Sequence, residues 1–284
     1  MPTTPDIPEP EPAVPETAVP KTAVPELAFV QHDGDGPPAL FIHGYLTGAA
    51  YWETNLPALR RVCQPIVIEL WGHGHSPSPD DPAHYHPPGL VAAFDRIRQT
   101  LTHDRWFVVG HSLGAALAMQ YALAHPGRVQ GLVVTNSNSG FASPALDERR
   151  GRTALKLAER IDRHGMAAFD EHPLNPSVSK RLPPVARSAL IEVFGHHDPV
   201  GLANMLRWTT PNAAVTDRLE ELAIPTLLTW GVFEKLFQPA AAVAKERIPD
   251  LQVAELQAGH PVNLTDHIGF DRAVGEFISE LSGA

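Results

Sequence analysis

Short apolar runs alternate along this chain with segments of helical periodicity. Consecutive apolar residues predict buried strands at residues 38–42, 66–70, 105–109, 129–135, 226–230 and 251–256. Apolar residues at helical spacing predict helices at residues 52–61, 90–102, 113–125, 240–248 and 268–281. Strands and helices that alternate in this way are typical of a mainly parallel sheet covered by helices on both faces. The pattern therefore predicts a protein of the α/β class.

Residues 141–222 interrupt this alternation, because the segment is rich in predicted helix. An insertion of this kind between two strands predicts a helical cap over the active-site end of the sheet. The predicted core then consists of residues 27–140 and 223–284.

Residues 1–26 have a different composition, in which proline recurs and the sequences AVPET, AVPKT and AVPEL follow one another. Proline removes backbone donors and favours extended conformations, so this segment cannot build a core. We predict a solvated tail or spacer. The alternative is a docking segment for another protein, whose identity the sequence does not indicate.

Composition narrows the class of protein further. The chain has 284 residues, of which 43% are hydrophobic and 19% charged, as in globular proteins. A net charge of −10 argues against nucleic-acid binding, which needs a basic surface. Cys63 is the single cysteine, which fits a reducing compartment. Without a long apolar window or a recognisable signal peptide, we expect a cytoplasmic protein with no membrane span.

The most specific chemical motif is Gly-His-Ser-Leu-Gly at residues 110–114. It follows a predicted strand and precedes a helical run, which is the context of a nucleophile elbow. Gly110 and Gly114 permit a turn too tight for side chains, so Ser112 projects its hydroxyl at a helix N-terminus, where negative charge is stabilised. We predict that Ser112 is a nucleophile. The alternative is an ordinary glycine-rich turn between a strand and a helix.

A serine hydroxyl needs a base, and 15 histidines are available in the chain. His260 follows the predicted strand 251–256 and precedes the last helix. The chain order serine, acid, histidine that accompanies a nucleophile elbow on an α/β sheet places the base there. We predict His260 as the base.

The third member of such a triad is a carboxylate that orients the histidine. Glu234 lies in the loop after the predicted strand 226–230, where this carboxylate is expected. It is also placed to form an exposed pair with Lys235, so Asp198 and Glu255 remain alternative acids.

Two backbone amides are predicted to form an oxyanion hole. Gly44 permits a sharp turn after the strand 38–42, so that the amide of Tyr45 pairs with that of Leu113. We expect the side chain of His43 to brace this loop without touching substrate.

Several other residues are candidates for binding roles. Four large aromatic residues are candidates for lining a substrate pocket, although such residues are usually core: Trp52, Phe141, Phe194 and Trp208. His73 and His75 have the spacing of metal ligands, but a glycine-stabilised turn explains them better, because acidic or cysteine ligands do not accompany them. Residues 196–198 are interpreted as a polar turn between helices. No metal or organic cofactor is predicted.

Together these residues resemble the α/β-hydrolase superfamily over residues 28–282. The resemblance implies an α/β-hydrolase fold and rests on the following motifs: His43-Gly44, residues 72–76 (Gly-His-Gly-His-Ser), residues 110–114, residues 231–234 and Gly259-His260. Haloalkane dehalogenases and epoxide hydrolases of this fold use an aspartate nucleophile, which Ser112 excludes. The chain is also similar to cofactor-free haloperoxidase-like esterases, which share the serine and histidine.

Parts of the chain are similar to the menaquinone-pathway succinyl-hydroxycyclohexadiene-carboxylate synthases. The similar segments are residues 43–48, 201–207 and 231–237. Those enzymes usually have an arginine four residues after the nucleophile, where this chain has Ala116, and their acid is normally aspartate. Without that fixed cation, a dianionic substrate is disfavoured.

The leading hypothesis is a serine hydrolase that cleaves a largely apolar carboxylic ester or lactone through an acyl-enzyme. A second hypothesis keeps the triad but assigns it carbon–carbon bond cleavage or elimination, as the resemblance to the synthases implies. A third, from a different class, is a non-catalytic protein that uses the fold to bind a ligand.

Overall fold

The computed structural model describes residues 24–180 and 182–283, and only the backbone of residues 144–147. The proline-rich segment predicted for residues 1–26 therefore lies outside the described residues, except for residues 24–26.

A seven-stranded sheet forms the centre of the molecule, with the strand order β1-β3-β2-β4-β5-β6-β7. Strand β1 pairs antiparallel with β3, and the other neighbouring strands are parallel. The strands are β1 (Phe29–Gln31), β2 (Pro38–Ile42), β3 (Gln64–Ile68), β4 (Trp106–His111), β5 (Val129–Thr135), β6 (Thr226–Gly231) and β7 (Gln252–Leu256). The predicted fold class is confirmed.

Helices cover the sheet and fill the segment between β5 and β6. They are α1 (Leu56–Leu59), α2 (Pro87–Thr100), α3 (Leu113–Ala124), α4 (Pro144–His164), α5 (Pro184–Phe194), α6 (Pro199–Asn204), α7 (Gln238–Arg247), α8 (Val262–Thr265) and α9 (His267–Ser282). A single π-helical turn, Met205–Thr209, continues α6.

Two elements differ from the sequence-based expectation. Strand β1 was not predicted, because three half-exposed residues at a sheet edge give no measurable periodicity. The helix predicted at residues 52–61 is divided into a 3₁₀ turn (Ala49–Trp52) and the one-turn helix α1. The turns that follow α1 end at the buried Cys63, whose amide bonds the Leu59 carbonyl at 2.9 Å, and β3 begins at the next residue.

The core lies on both faces of the sheet, because successive side chains of a strand point to opposite sides. On β2, Leu40 and Ile42 pack into one apolar cluster, whereas Ala39 and Phe41 pack into the other. These four side chains are fully buried. This burial on both faces explains why the strand sequences read as continuous apolar runs.

The segment between β5 and β6, hereafter the β5–β6 insertion, packs over the carboxyl ends of the strands. A third apolar cluster joins Leu46, in the loop after β2, to Phe169 and Leu202 of the insertion. The backbones of Gly72 and Gly201 approach so closely that a Cβ atom on Gly72 would lie 2.6 Å from the Gly201 Cα. The insertion is therefore held against the loops that follow β2 and β3.

Three buried histidines connect these loops through backbone hydrogen bonds. His43 Nε2 accepts the Leu70 amide at 3.0 Å, and His73 Nε2 accepts the Leu46 amide at 3.1 Å. His197 of the insertion accepts the Gly74 amide through Nδ1 at 3.0 Å. A ring nitrogen that accepts a hydrogen bond is unprotonated, so the folded state requires all three rings to be neutral.

We expect this arrangement to make the fold sensitive to acid. Burial lowers the pKa of His43 to about 4 and that of His197 to about 3, and it lowers the pKa of His73 well below its usual value. Because the unfolded chain titrates near the ordinary histidine pKa of about 6.5, it binds more protons than the folded chain below that pH. Stability should be complete above about pH 6.5 and decrease as the pH falls toward the folded-state values, by on the order of 3 kcal/mol each for His43 and His197.

Thermal unfolding between about pH 7 and pH 4.5 measures this effect. His197→Gln keeps an acceptor that does not titrate, so its Tm should fall less steeply than that of the wild type. His164→Gln, which changes an exposed histidine at the end of α4, is the matched control. A wild-type Tm that is independent of pH over this range would contradict the account.

Candidate active site

Ser112 lies in a strained turn between β4 and α3. Its backbone has φ 54° and ψ −116°, a conformation that is unfavourable for a residue with a side chain. A Cβ atom on Gly110 would lie 2.5 Å from the Gly114 carbonyl oxygen, and one on Gly114 would lie 2.2 Å from the Ile42 carbonyl oxygen. Both glycines are therefore required for the turn, and the serine side chain is displayed at the start of a helix.

A cavity of about 150 Å³ lies beside Ser112. The loop after β2, the turn at Ser112, the loop after β7 and the β5–β6 insertion all contribute to its walls. Its lining residues are Gly44, Tyr45, Leu46, Thr47, Tyr51, His111, Ser112, Pro173, Leu174, Pro176, Ser179, Leu182, Leu190, His260 and Pro261. Most of the contribution from the insertion is apolar, and none of the described lining residues is a lysine or an arginine.

His260 faces the same cavity as Ser112, although the two residues are far apart in sequence. It lies in the loop between β7 and α8. Its ring centroid is 4.9 Å from that of His111, which immediately precedes Ser112. The fold thus brings the predicted nucleophile and the predicted base to one cavity.

Glu234 lies in the loop after β6, and its Oε2 is 3.9 Å from Nδ1 of His260. This separation is an ion-pair distance and is longer than a hydrogen bond. The carboxylate side chain is 12% exposed, so it is largely removed from solvent. A groove of about 490 Å³ runs beside the two residues and is lined by Phe233, Glu234, Lys235, Leu236, Gly259, His260, Pro261 and Thr265.

The two alternative acids are engaged elsewhere. Asp198 caps α6 by accepting the Val200 amide at 2.9 Å. Glu255 pairs on the surface with Lys245 at 2.7 Å. Of the three carboxylates considered from the sequence, Glu234 is the one placed against His260.

Of the two residues predicted to form the oxyanion hole, Tyr45 lines the cavity and Leu113 directly follows the lining residue Ser112. A Cβ atom on Gly44 would lie 3.2 Å from the Ser112 Cβ, so the loop after β2 passes directly beside the serine. Leu113 is the first residue of α3, and its amide belongs to the first-turn groups that have no partner within a helix. The Leu46 amide, one residue beyond Tyr45, is already used by His73.

The four aromatic residues considered for the pocket lie outside the set that lines the cavity. Trp52 is buried under the sheet against Phe41, with ring centroids 5.3 Å apart. Phe141 packs on Phe237, with centroids 6.0 Å apart. Phe194 packs on Phe169 within the insertion, and Trp208 packs on His86. Each of these side chains packs between secondary-structure elements, as large apolar residues commonly do.

The histidines considered as structural or metal-binding residues have other partners. His43 is buried, and its ring accepts a hydrogen bond from the backbone of the loop after β3, as described above. His75 Nδ1 lies 3.1 Å from a carboxylate oxygen of Glu69, and its ring stacks on His196. The described residues contain no group of three or more histidine, cysteine, aspartate or glutamate side chains arranged to hold a metal ion.

Three residues of the site were not found from the sequence. Tyr51 and His111 both line the cavity, and the Tyr51 hydroxyl lies 3.0 Å from His111 Nε2. Burial, followed by the neighbouring His260, lowers the pKa of His111 well below its usual value, so its ring is neutral. Asn136 donates to the His260 carbonyl oxygen at 2.8 Å. The sequence indicates a role for Asn136 only through its position directly after a predicted strand, and many residues share that position.

The architecture of the sheet agrees with a family comparison. Residues 37–267 match the family model described as the alpha/beta hydrolase fold. The chain belongs to this family. Among its relatives is the 2-succinyl-6-hydroxy-2,4-cyclohexadiene-1-carboxylate synthase of Serratia proteamaculans, which is 25% identical over 87% of this chain and 95% of its own length.

Solved structures of similar fold include enzymes with different names. MenH from S. aureus superimposes with a TM-score of 0.77 at 20% identity, over 90% of this chain and 98% of that one. A thermophilic esterase from Thermogutta terrifontis superimposes with a TM-score of 0.76 at 23% identity, over 90% of this chain and 94% of that one. The chain is thus an α/β-hydrolase family enzyme whose substrate class the comparisons leave open. Within residues 24–180 and 182–283, no helix is long and apolar enough to cross a membrane.

Proposed function

We propose that this protein is a serine hydrolase that cleaves a carboxylic ester or lactone through an acyl-enzyme. The observation that supports this most is the placement of Ser112, on a strained turn at a helix N-terminus, in one small cavity with His260. Backbone strain persists mainly at functional positions, and exposure of a nucleophile would explain it here.

In the proposed reaction, the Ser112 hydroxyl oxygen attacks the substrate carbonyl carbon while the His260 imidazole takes the hydroxyl proton. The resulting oxyanion accepts hydrogen bonds from the amides of Tyr45 and Leu113, which stabilise it by several kcal/mol. When the carbon–oxygen bond breaks, His260 gives its proton to the leaving alkoxide. Water then attacks the acyl-enzyme by the same route in reverse, and this releases the acid and regenerates Ser112.

Glu234 has the role of orienting His260 and stabilising the imidazolium that forms during each step. The 3.9 Å separation between Glu234 Oε2 and His260 Nδ1 is compatible with this role, because catalytic hydrogen bonds are often long before substrate binds and tighten in the complex.

The proposed substrate has a small, uncharged and apolar acyl group. A cavity of about 150 Å³ is comparable to one that holds a benzene molecule. The insertion contributes Leu174, Leu182 and Leu190 to its walls, so we propose residues 141–222 as the cap that sets substrate specificity. The position four residues after Ser112 is Ala116, which is buried and provides no charge for a carboxylate.

Hydrolysis of a series of 4-nitrophenyl esters tests this proposal. We expect kcat/KM to be highest for acetate to butyrate and to fall by at least about tenfold for octanoate, because the long chain exceeds the cavity. The hemisuccinate ester, matched to butyrate in length, should be hydrolysed at least about tenfold more slowly, because its second carboxylate would lose its hydration without gaining a partner. Preference for hemisuccinate over butyrate would contradict the assignment.

A second candidate is carbon–carbon bond cleavage or elimination on the same residues. The similarity to the S. proteamaculans synthase over most of both chains favours it. In that reaction Ser112 and His260 would act on a substrate that forms a stabilised carbanion. Turnover of a vinylogous diketone at a higher kcat/KM than the best ester would support this candidate over ester hydrolysis.

A further inference from the structure

Asn136 occupies an unusual backbone position at the end of the central strand β5. It follows Thr135, the last residue of the strand, and has a left-handed φ of 44°. It is fully buried. Asparagine tolerates this conformation better than most residues, but the position still stores strain. A buried and strained polar residue therefore needs an explanation from its contacts.

The Asn136 amide uses all its hydrogen-bonding groups on the two loops of the site. Its Nδ2 donates to the Gly259 carbonyl oxygen at 3.1 Å and to the His260 carbonyl oxygen at 2.8 Å. Its Oδ1 accepts the amide of Gly231 at 3.2 Å, and Gly231 is the last residue of β6, directly before the loop that contains Glu234. One side chain thus connects the loops of the predicted base and the predicted acid to a central strand.

A second donor reaches the same carbonyl group. His111 Nε2 lies 3.1 Å from the His260 carbonyl oxygen. The same nitrogen lies 3.0 Å from the Tyr51 hydroxyl oxygen. Because a carbonyl oxygen only accepts, we assign the single proton of the neutral ring to Nε2, where it faces both oxygens. The His260 carbonyl therefore receives one hydrogen bond from the residue before Ser112 and another from Asn136. Two donors from two neighbouring strands oppose rotation of this peptide group and hold the His260 Cα in place.

Asparagine is the residue type that fits these three partners. Its amide offers two donors and one acceptor, which match the two carbonyl oxygens and the one N–H group. Aspartate has the same shape, but it would place a carboxylate oxygen against two carbonyl oxygens. An apolar residue would remove one of the two hydrogen bonds to the His260 carbonyl, and it would take the Asn136 partner from the Gly259 carbonyl and the Gly231 amide.

We propose that Asn136 is a positioning residue for His260, and that it sets the location of the imidazole relative to Ser112 by holding the His260 carbonyl. This inference rests on the function proposed above. Misplacement of a reacting group by about 1 Å costs on the order of 100-fold in rate, so loss of these bonds should reduce turnover without changing the cavity.

Two variants test the role. Asn136→Gly removes the donors but suits the left-handed backbone, so it is expected to fold. Asn136→Asp keeps the shape and replaces the donor group with an acceptor. Thr229→Val on β6 is the matched control. It removes the buried 2.8 Å hydrogen bond between the hydroxyls of Thr229 and Thr135, and it leaves the loops that contain Glu234 and His260 unchanged.

Steady-state hydrolysis of 4-nitrophenyl butyrate gives kcat and KM for each protein. For both Asn136 variants we expect kcat to fall about 10- to 100-fold and KM to stay within about twofold, since Asn136 does not line the cavity. Thr229→Val should keep kcat within about twofold of the wild type even if its Tm is lower. Unchanged kcat in folded Asn136→Gly would overturn the inference, as would an equal loss of kcat in Thr229→Val.

A crystal structure of Asn136→Gly provides a measurement that does not depend on activity. The His260 imidazole should be displaced by about 1 Å relative to Ser112, and an unmoved ring would overturn the inference. The two proposals fail in different ways. A wild-type protein without Ser112-dependent hydrolysis contradicts the proposed function, whereas an active wild type with an equally active Asn136→Gly contradicts only the positioning role.

Discussion

Ser112→Ala is expected to reduce kcat/KM for 4-nitrophenyl butyrate by on the order of 10⁶-fold, the loss found when a serine nucleophile is removed from an activated site. The variant retains the cavity and the oxyanion donors, so a small activity above that of water should remain. His260→Gln should lose a similar amount, and the double variant should be no less active than either single one, because nucleophile and base act as a unit. Steady-state kinetics at enzyme concentrations high enough to detect slow turnover measure all three.

Ser139→Ala serves as the matched control for this prediction. Ser139 is also a buried serine near β5, but its hydroxyl accepts a hydrogen bond from Arg150 at 2.6 Å, and it does not line the cavity. Its kcat/KM should stay within about threefold of the wild type. Equal activity of Ser112→Ala and Ser139→Ala would remove the basis for assigning Ser112 as the nucleophile.

Glu234→Gln is expected to lower kcat by on the order of 10⁴-fold with little change in KM. An amide can no longer stabilise the imidazolium, and it permits the wrong tautomer of His260. Glu234→Gly should be equally impaired, but formate should restore part of its activity. The groove of about 490 Å³ beside Glu234 and His260 is open to a small carboxylate, which would occupy the space left by the side chain.

Two other carboxylates give controls for the acid. Glu255→Gln removes the charge that pairs with Lys245 on the surface. Asp198→Asn removes the charge at the start of α6 but keeps an oxygen that can cap it. Each variant should keep kcat within about threefold of the wild type. Formate should have no effect on either protein or on the wild type. A loss comparable to that of Glu234→Gln in one of these variants would transfer the role of the acid to that residue.

The local pattern of apolar and polar residues was sufficient to predict most of the strands and helices of the fold. Strands β2 and β5 begin and end where the apolar runs predict, because a strand buried on both faces leaves little ambiguity in its bounds. The tight turn at Ser112 was also predictable, since glycine at positions 110 and 114 is needed for a tight turn between a strand and a helix. Strand β1 was missed because its three residues are stabilised by pairing with β3 and not by a pattern of their own.

The surroundings of the candidate site depend on contacts between residues that are distant in sequence. Asn136 binds carbonyl groups more than a hundred positions away, and no local pattern marks such a partner. The same limit applies to the cavity walls. The aromatic residues chosen for their size pack between elements, whereas the described apolar lining includes Leu174 and Leu190 of the insertion. Side-chain direction in an irregular helical segment is set by tertiary packing.

Intact mass after brief exposure to a fluorophosphonate is the most direct test of the central claim, that Ser112 is an activated nucleophile. The probe requires an activated serine and no knowledge of the substrate. The account predicts a single adduct on the wild type, located at Ser112 by peptide mapping, and no adduct on Ser112→Ala. Folded wild-type protein that forms no adduct, or an adduct that persists in Ser112→Ala, would contradict the account, and the absence of any adduct would favour a ligand-binding protein.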